Sequence, residues 1–268
     1  MIVDIEFICI GNELLIGKVE NTNAHWLATQ ATALGATVRR VTVIQDIVEE
    51  IALCLQEASA RNPHFIITTG GLGPTFDDKT FQGIAKALNQ PLKINPQALE
   101  MVRTKCTEYA QRRGLTQEIE MTPPRTKMAI LPENAQPLSN PVGTAPALKV
   151  QIGSSILFAL PGVPYEMMTI FTQTIAPLIK QTVGSGVFCQ QSLFVRGIAE
   201  AQLAPLIDKV MSDNTGVYVK SHPIALPSDN VPHIELHLTL TIAQEYHPDK
   251  MLQKAIEQLI QLIEQTKK

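Results

Sequence analysis

The chain has 268 residues, 45% of them hydrophobic and 18% charged, with a formal net charge of −3. That is a globular composition with material for a substantial core, in two domains or one large one. Neither half is basic, which argues against a general nucleic-acid binder. The start, MIVDIEFICIGNELL, carries Asp4 and Glu6 too early for a signal peptide. No run approaches 18 uninterrupted apolar residues, so neither a membrane span nor a membrane partner is expected, and a cytoplasmic protein is. Cys9, Cys54, Cys106 and Cys189 lie far apart without a CxxC pair, which reads as reduced thiols rather than a disulfide or zinc framework.

In chain order, Ile5–Ile10 predicts a buried strand ending at Gly11, and Asn21 or Thr22 can cap a helix that Gly35 closes. Residues 36–44 are β-branched and predict a second strand, and 47–60 repeat apolar residues at helical spacing. Phe65–Thr69 predicts a third strand running into Gly70-Gly71-Leu72-Gly73-Pro74, after which Asp77 can cap a helix through Leu88. This alternation implies an α/β fold with a mostly parallel sheet. Further on, 95–113 predicts a long, mostly exposed helix, Pro123-Pro124 a break, and 127–131 a strand. Residues 147–152 and 155–160 predict a hairpin around Gly153-Ser154, and Pro161-Gly162-Val163-Pro164 opens a Met-rich helix. Thr182–Gly186 reads as a short linker, dividing the chain into domains 1–180 and 181–268. The second is a small α+β domain, with strands at 189–195, 216–219 and 234–242 and helices at 199–211 and 251–264.

The loop at 70–75 follows a strand and precedes a helix, so its glycines let several amides approach an anion. It is neither GxGxxG nor GxxxxGK[ST], which excludes the dinucleotide fingerprint and the P-loop. Asp77 and Asp78 come directly after it. Two carboxylates beside bound phosphate would repel it unless a cation lies between them, and hard oxygen ligands suit Mg²⁺ or Mn²⁺. The loops at 11, 70 and 161 all follow strands, which would bring them together at the carboxyl edge of a parallel sheet. His233-Ile234-Glu235-Leu236-His237 alternates as a strand, not as the helical HExxH of a zinc peptidase, and reads as a solvated strand face. Ser221-His222-Pro223 lacks a nucleophile elbow and reads as a loop, and Trp26 reads as core.

Five segments together resemble the N-terminal domain of the CinA family, a member of the molybdopterin-binding-like superfamily. They are 11–17 (GNELLIG), 21–24 (NTNA), 69–80 (TGGLGPTFDDKT), 140–146 (NPVGTAP) and 160–167 (LPGVPYEM). The likeness covers roughly residues 4–175, and the region after 181 is similar to the small KH-like second domain of CinA proteins. No nicotinamide mononucleotide deamidase domain is expected from these segments, so deamidation is not carried over. The KH-like region lacks a GxxG loop, so RNA binding is not implied.

The resemblance implies a three-layer α/β/α domain in a homo-oligomer, dimer or trimer. It further implies divalent-metal-dependent hydrolysis of a nucleotide pyrophosphate, notably ADP-ribose to AMP and ribose 5-phosphate, with Mg, Mn or Co. The alternative is a non-hydrolytic protein that binds a pterin or nucleotide, and a third is a protein-interaction role for 181–268. Residue by residue, Gly70, Gly71, Gly73, Pro74 and Thr75 would hold phosphate. Asp77 and Asp78 would bind metal or activate water, Glu13, Asn21 and Asn23 would line the pocket, and Gly143, Pro161 and Gly162 would shape its far wall. Gly-Gly-Leu-Gly stands where the molybdopterin adenylyltransferase branch has Gly-Gly-Thr-Gly.

Overall fold

Short runs of Ile, Val and Phe that bury both faces are what a parallel sheet covered by helices requires, and the first such run, β1 (Asp4–Ile10), is buried from Ile5 onward. The computed structural model describes residues 3–114, 120–224, 231–243 and 246–266. Two compact units result, one of residues 2–32 and 36–182 and one formed mainly by 183–268.

In the first unit β1 lies between β2 (Thr37–Ile44) and β3 (Phe65–Thr69), parallel to both. The sheet continues from β3 to the parallel β8 (Ser155–Leu160), then antiparallel to β7 (Ala147–Ile152) and β6 (Gln136–Leu138). After β1 the chain goes first to one neighbour and then to the other, so the order reverses between β1 and β3. Ligands of open α/β sheets bind at such a point, outside the carboxyl ends of the strands.

Helix α1 (Asn12–Leu15) leaves β1, and α2 (Thr22–Ala33) follows it. On one face of the sheet, α3 (Val48–Ala60), α4 (Thr80–Ala87) and α5 (Pro96–Arg112) contribute Ile51, Leu55, Ile84 and Val102 to one core cluster with Ile8, Ile66 and Leu148. Beyond β8 come α7 (Pro164–Ile170), a π-helical turn over Phe171–Ile175 and α8 (Ala176–Val183). Phe171 is buried there with Trp26 of α2 edge-on to it at 5.5 Å. The arrangement is a three-layer α/β/α domain.

Several expectations are corrected. Helix α4 starts at Thr80, not at Asp77, because Asp77 and Asp78 lie in a turn whose side chains face its own backbone. Helix α5 buries Ala98, Val102, Cys106 and Ala110, one residue per turn, and so is half inserted rather than mostly exposed. Pro123 and Pro124 open a short helix, α6 (Pro123–Lys127), where prolines at the first positions cost no hydrogen bond. The strand expected at 127–131 begins only at Ile130 and forms β5 (Ile130–Pro132), paired antiparallel with β4 (Leu92–Ile94), which the sequence reading missed, as it did β6. Trp26 is half-buried at the margin of the core.

The second unit runs β9 (Gly186–Arg196), α9 (Glu200–Asp213), β10 (Val217–Ile224), β11 (His233–Ala243) and α10 (Pro248–Thr266). The expected linker is short: α8 reaches Val183 and β9 starts at Gly186. The antiparallel sheet has β11 in the centre. Ile234, Leu236, Leu238 and Leu240 point into a core shared with Leu203, Ile207, Leu252 and Leu259, and His233, Glu235 and His237 share the opposite face. Ser221-His222-Pro223 belongs to β10 rather than to a loop, and the Ser221 hydroxyl donates to Glu200. All four cysteines are free thiols. Among the described residues no helix is long and apolar enough to cross a membrane.

Candidate functional site

A cavity of about 850 Å³ opens where β1, β3 and β8 end, at the place where the strand order reverses. Ligand sites of this size are the common case. Its floor is the segment Gly70–Pro74, with Ile10, Gly11, Pro161 and Gly162 from the neighbouring strand ends. The loops at 11, 70 and 161 therefore meet, and Thr144 and Ala145 of the 140–146 loop join them.

The floor is built around absent side chains. Gly70 has a positive φ of 103°, and a Cβ there would lie 2.1 Å from the Ile10 carbonyl oxygen. Gly71, at φ +67°, would place a Cβ 2.4 Å from the Thr80 hydroxyl. That buried hydroxyl donates to the Gly70 carbonyl at 2.7 Å, and the Thr80 amide donates to the Gly71 carbonyl at 3.1 Å, so the first turn of α4 holds the loop from behind. The Gly70 amide continues the sheet by donating to Leu160. Among the described residues, the amides of Gly71, Leu72 and Gly73 have no hydrogen-bond acceptor. Three consecutive unpaired donors at a strand end form a concave site for an anion.

Asp78 closes the loop: its Oδ2 accepts from the Thr75 amide at 2.8 Å and from the Thr75 hydroxyl. The carboxylate lies against Gly73, where a Cβ would come within 2.6 Å of it. Asp77 is held below the ordinary carboxylate range, first by the neighbouring Thr75 side chain, then by its own amide, and further by Lys127 and Lys79. Lys127, at the end of α6, donates to the Thr75 carbonyl, and burial lowers its pKa against the opposing pull of Asp78 and Asp77.

Across the cavity stand Glu13 and Asp46. Asp46 was not among the sequence candidates, although it lies two residues past the end of β2, at the same edge as the other site loops. Its Oδ2 accepts from the Asn12 amide at 2.8 Å. Burial pushes its pKa up, and Glu13, Asp77 and Asp78 add repulsion. With Glu166 of α7, five carboxylates line one cavity. Among the described residues no three ligand side chains converge closely enough to hold a metal by themselves. The donor set suits a hard divalent cation that takes one or two carboxylates and completes its shell with water and ligand phosphate.

The remaining candidates divide. Gly70, Gly71, Gly73, Pro74, Asp77, Asp78, Glu13, Pro161 and Gly162 line the cavity. Asn21, Asn23, Thr75 and Gly143 do not. Asn21 caps α2 by accepting from the Ala24 amide at 3.1 Å. Asn23 lines a separate recess of about 100 Å³ behind Gly70 and Gly162, and its Nδ2 donates to the Gly162 carbonyl at 2.8 Å. Thr75 turns inward to Asp78. Gly143 donates to Asn140 at 2.8 Å, and a Cβ there would strike the Glu166 carboxylate at 2.1 Å. Glu166, bound to the Asn140 amide group at 2.7 Å, lines the cavity, as do Tyr109, Arg125 and Met128, none of which the sequence singled out. Only Glu166 carried a signal, its place in the 160–167 motif.

Residues 6–181 match the family described as a probable molybdopterin binding domain. A protein of Pyrobaculum calidifontis is 43% identical over 256 residues, 96% of this chain and 94% of its own, and one of Aeropyrum pernix is 46% identical over 216 residues, 81% and 77% of the two chains. The crystal structure of the protein CinA, of unknown function, from Thermoplasma acidophilum is 36% identical with a TM-score of 0.57, covering 66% of this chain and 98% of that one. The chain belongs to the family of molybdopterin-binding-domain proteins and is CinA-like.

Proposed function

We propose that the cavity binds a small phosphorylated pterin or nucleotide, with phosphate on the amides of Gly71, Leu72 and Gly73. The observation that carries this is the set of three unpaired amides on the cavity floor, held rigid by Thr80 and Asp78. Glu13, Asp46, Asp77 and Asp78 would offer one or two carboxylates to a divalent cation, Mg, Mn or Co, which would offset the charge of the phosphate. The protein works as a dimer or trimer. Calorimetric titration with AMP and with adenosine tests the reading. Saturable AMP binding that adenosine does not match supports a phosphate site; equal binding of the two, or none, refutes it.

The four carboxylates favour a second reading, hydrolysis of a nucleotide pyrophosphate such as ADP-ribose. Water would attack one phosphorus and break the phosphoanhydride bond, giving AMP and ribose 5-phosphate; Asp77 and Asp78 would hold a divalent cation whose chemistry is to lower the pKa of such a water. The family likeness speaks for binding and is silent on hydrolysis. Chromatography for AMP after incubation with ADP-ribose and each metal, beside an Asp77→Ala/Asp78→Ala control, decides between turnover and binding alone.

A further inference from the structure

The cavity has two chemically different ends. One is the glycine floor with its carboxylates. The other is a wall from α5 and α6, where Tyr109, Cys106, Met128 and Arg125 line the space. A bound phosphate alone needs only the first end, and 850 Å³ holds far more than a phosphate. Helix α5 buries Cys106 and Ala110 against the core, and Tyr109, between them in sequence, comes out at the rim 56% exposed. An aromatic ring this exposed is ordinarily free to swing. Here the Arg113 guanidinium lies over it, 4.5 Å from the ring centroid, one helical turn further on. The cation covers one ring face, and Tyr109 lines the cavity, which leaves the other face for a ligand. Arg125 is also immobilised, its Nη1 donating to the Glu120 carbonyl at 2.6 Å.

We propose that Tyr109, backed by Arg113, is the platform on which the planar heterocycle of the ligand stacks, and that it selects nucleotides and pterin phosphates over simple sugar phosphates. The inference rests on the phosphate-binding reading above. A ring stacked on one side by a guanidinium loses little freedom when a base covers the other, so the contact is cheap to form.

The test compares AMP with ribose 5-phosphate, two ligands that share the phosphate and pentose and differ in the base. Affinities are measured by titration for the full chain, Tyr109→Ala and Tyr109→Phe in the presence of Mn²⁺. The expected result is a loss of about tenfold in AMP affinity for Tyr109→Ala, unchanged ribose 5-phosphate affinity, and near-native behaviour of Tyr109→Phe. An equal loss for both ligands, or no loss for either, overturns the platform. Wild-type protein that binds both ligands equally overturns it as well while sparing the phosphate site. Binding of neither ligand by wild type removes the phosphate site and the platform together.

Discussion

Replacing Thr80 by valine removes a single hydroxyl and keeps the side chain's shape. That hydroxyl is fully buried, donates to the Gly70 carbonyl at 2.7 Å, and occupies the space a Cβ on Gly71 would need. Valine leaves no cavity, so its cost is the lost hydrogen bond and a carbonyl deprived of its donor, about 1–3 kcal/mol. Serine keeps the bond and gives up one methyl, worth about 0.8 kcal/mol. The expected order of stability is therefore threonine, serine, valine. Calorimetric melting of the full chain reads it, and at about 2–4 °C per kcal/mol valine lowers the transition of the α/β/α unit by about 2–12 °C. The Gly70 carbonyl anchors the loop whose amides are unpaired, so AMP affinity falls further for valine than for serine. A valine variant as stable as wild type, or a serine variant less stable than valine, would refute the assignment of Thr80 as the anchor.

Three further outcomes follow from the same geometry. Burial and the neighbouring carboxylates raise the Asp46 pKa, so its ionisation costs the fold; the cost is absent below the ordinary aspartate range and grows as pH rises through the raised value. Asp46→Asn is expected to raise the melting temperature at pH 7–8, roughly neutral conditions, with the gain fading toward about pH 4; a loss of stability at every pH would contradict this. Arg61→Met strips the bidentate partner, at 2.8 and 2.7 Å, from the buried Glu6 carboxylate and should cost about 3–5 kcal/mol in urea unfolding, part of it recovered by adding Glu6→Gln. Gly73→Ala drives a Cβ into Asp78 and frees the Thr75 amide, so titration should show weaker AMP binding with little change in melting temperature.

The strands most legible in the sequence are those with a strong burial pattern. Phe65–Thr69 and 155–160 coincide with β3 and β8, buried at nearly every residue, and 147–152 coincides with β7, where Lys149 and Gln151 alternate with buried apolar residues. Leu92–Ile94 and Gln136–Leu138 are three residues long and exist through pairing with Ile130–Pro132 and with residues 147–149, so no local period marks them. The start of α4 was misread for a related reason. Asp77 has the chemistry of an N-cap, but Asp78 bonds back to Thr75, and the chain enters the helix only after that turn closes.

At the site, proximity along the chain revealed the glycines, whose placement at strand ends is itself a topological statement. It hid Asp46 and Tyr109, which reach the cavity from β2 and α5 and share no motif with the floor. Asn21 and Gly143 belong to the motifs and yet serve to shape backbone, one by capping α2 and the other by making room for Glu166. The floor and the carboxylates make opposite demands. Unpaired amides at Gly71–Gly73 would attract the proposed phosphate, and the acidic side chains around them would repel it. Glu13, Asp46, Asp77 and Asp78 follow β1, β2 and β3 in the chain, and burial, with repulsion from the other three added, raises the Asp46 pKa. The proposed ligand would relieve that cost by arriving with its own cation, since charge then balances only when both are bound.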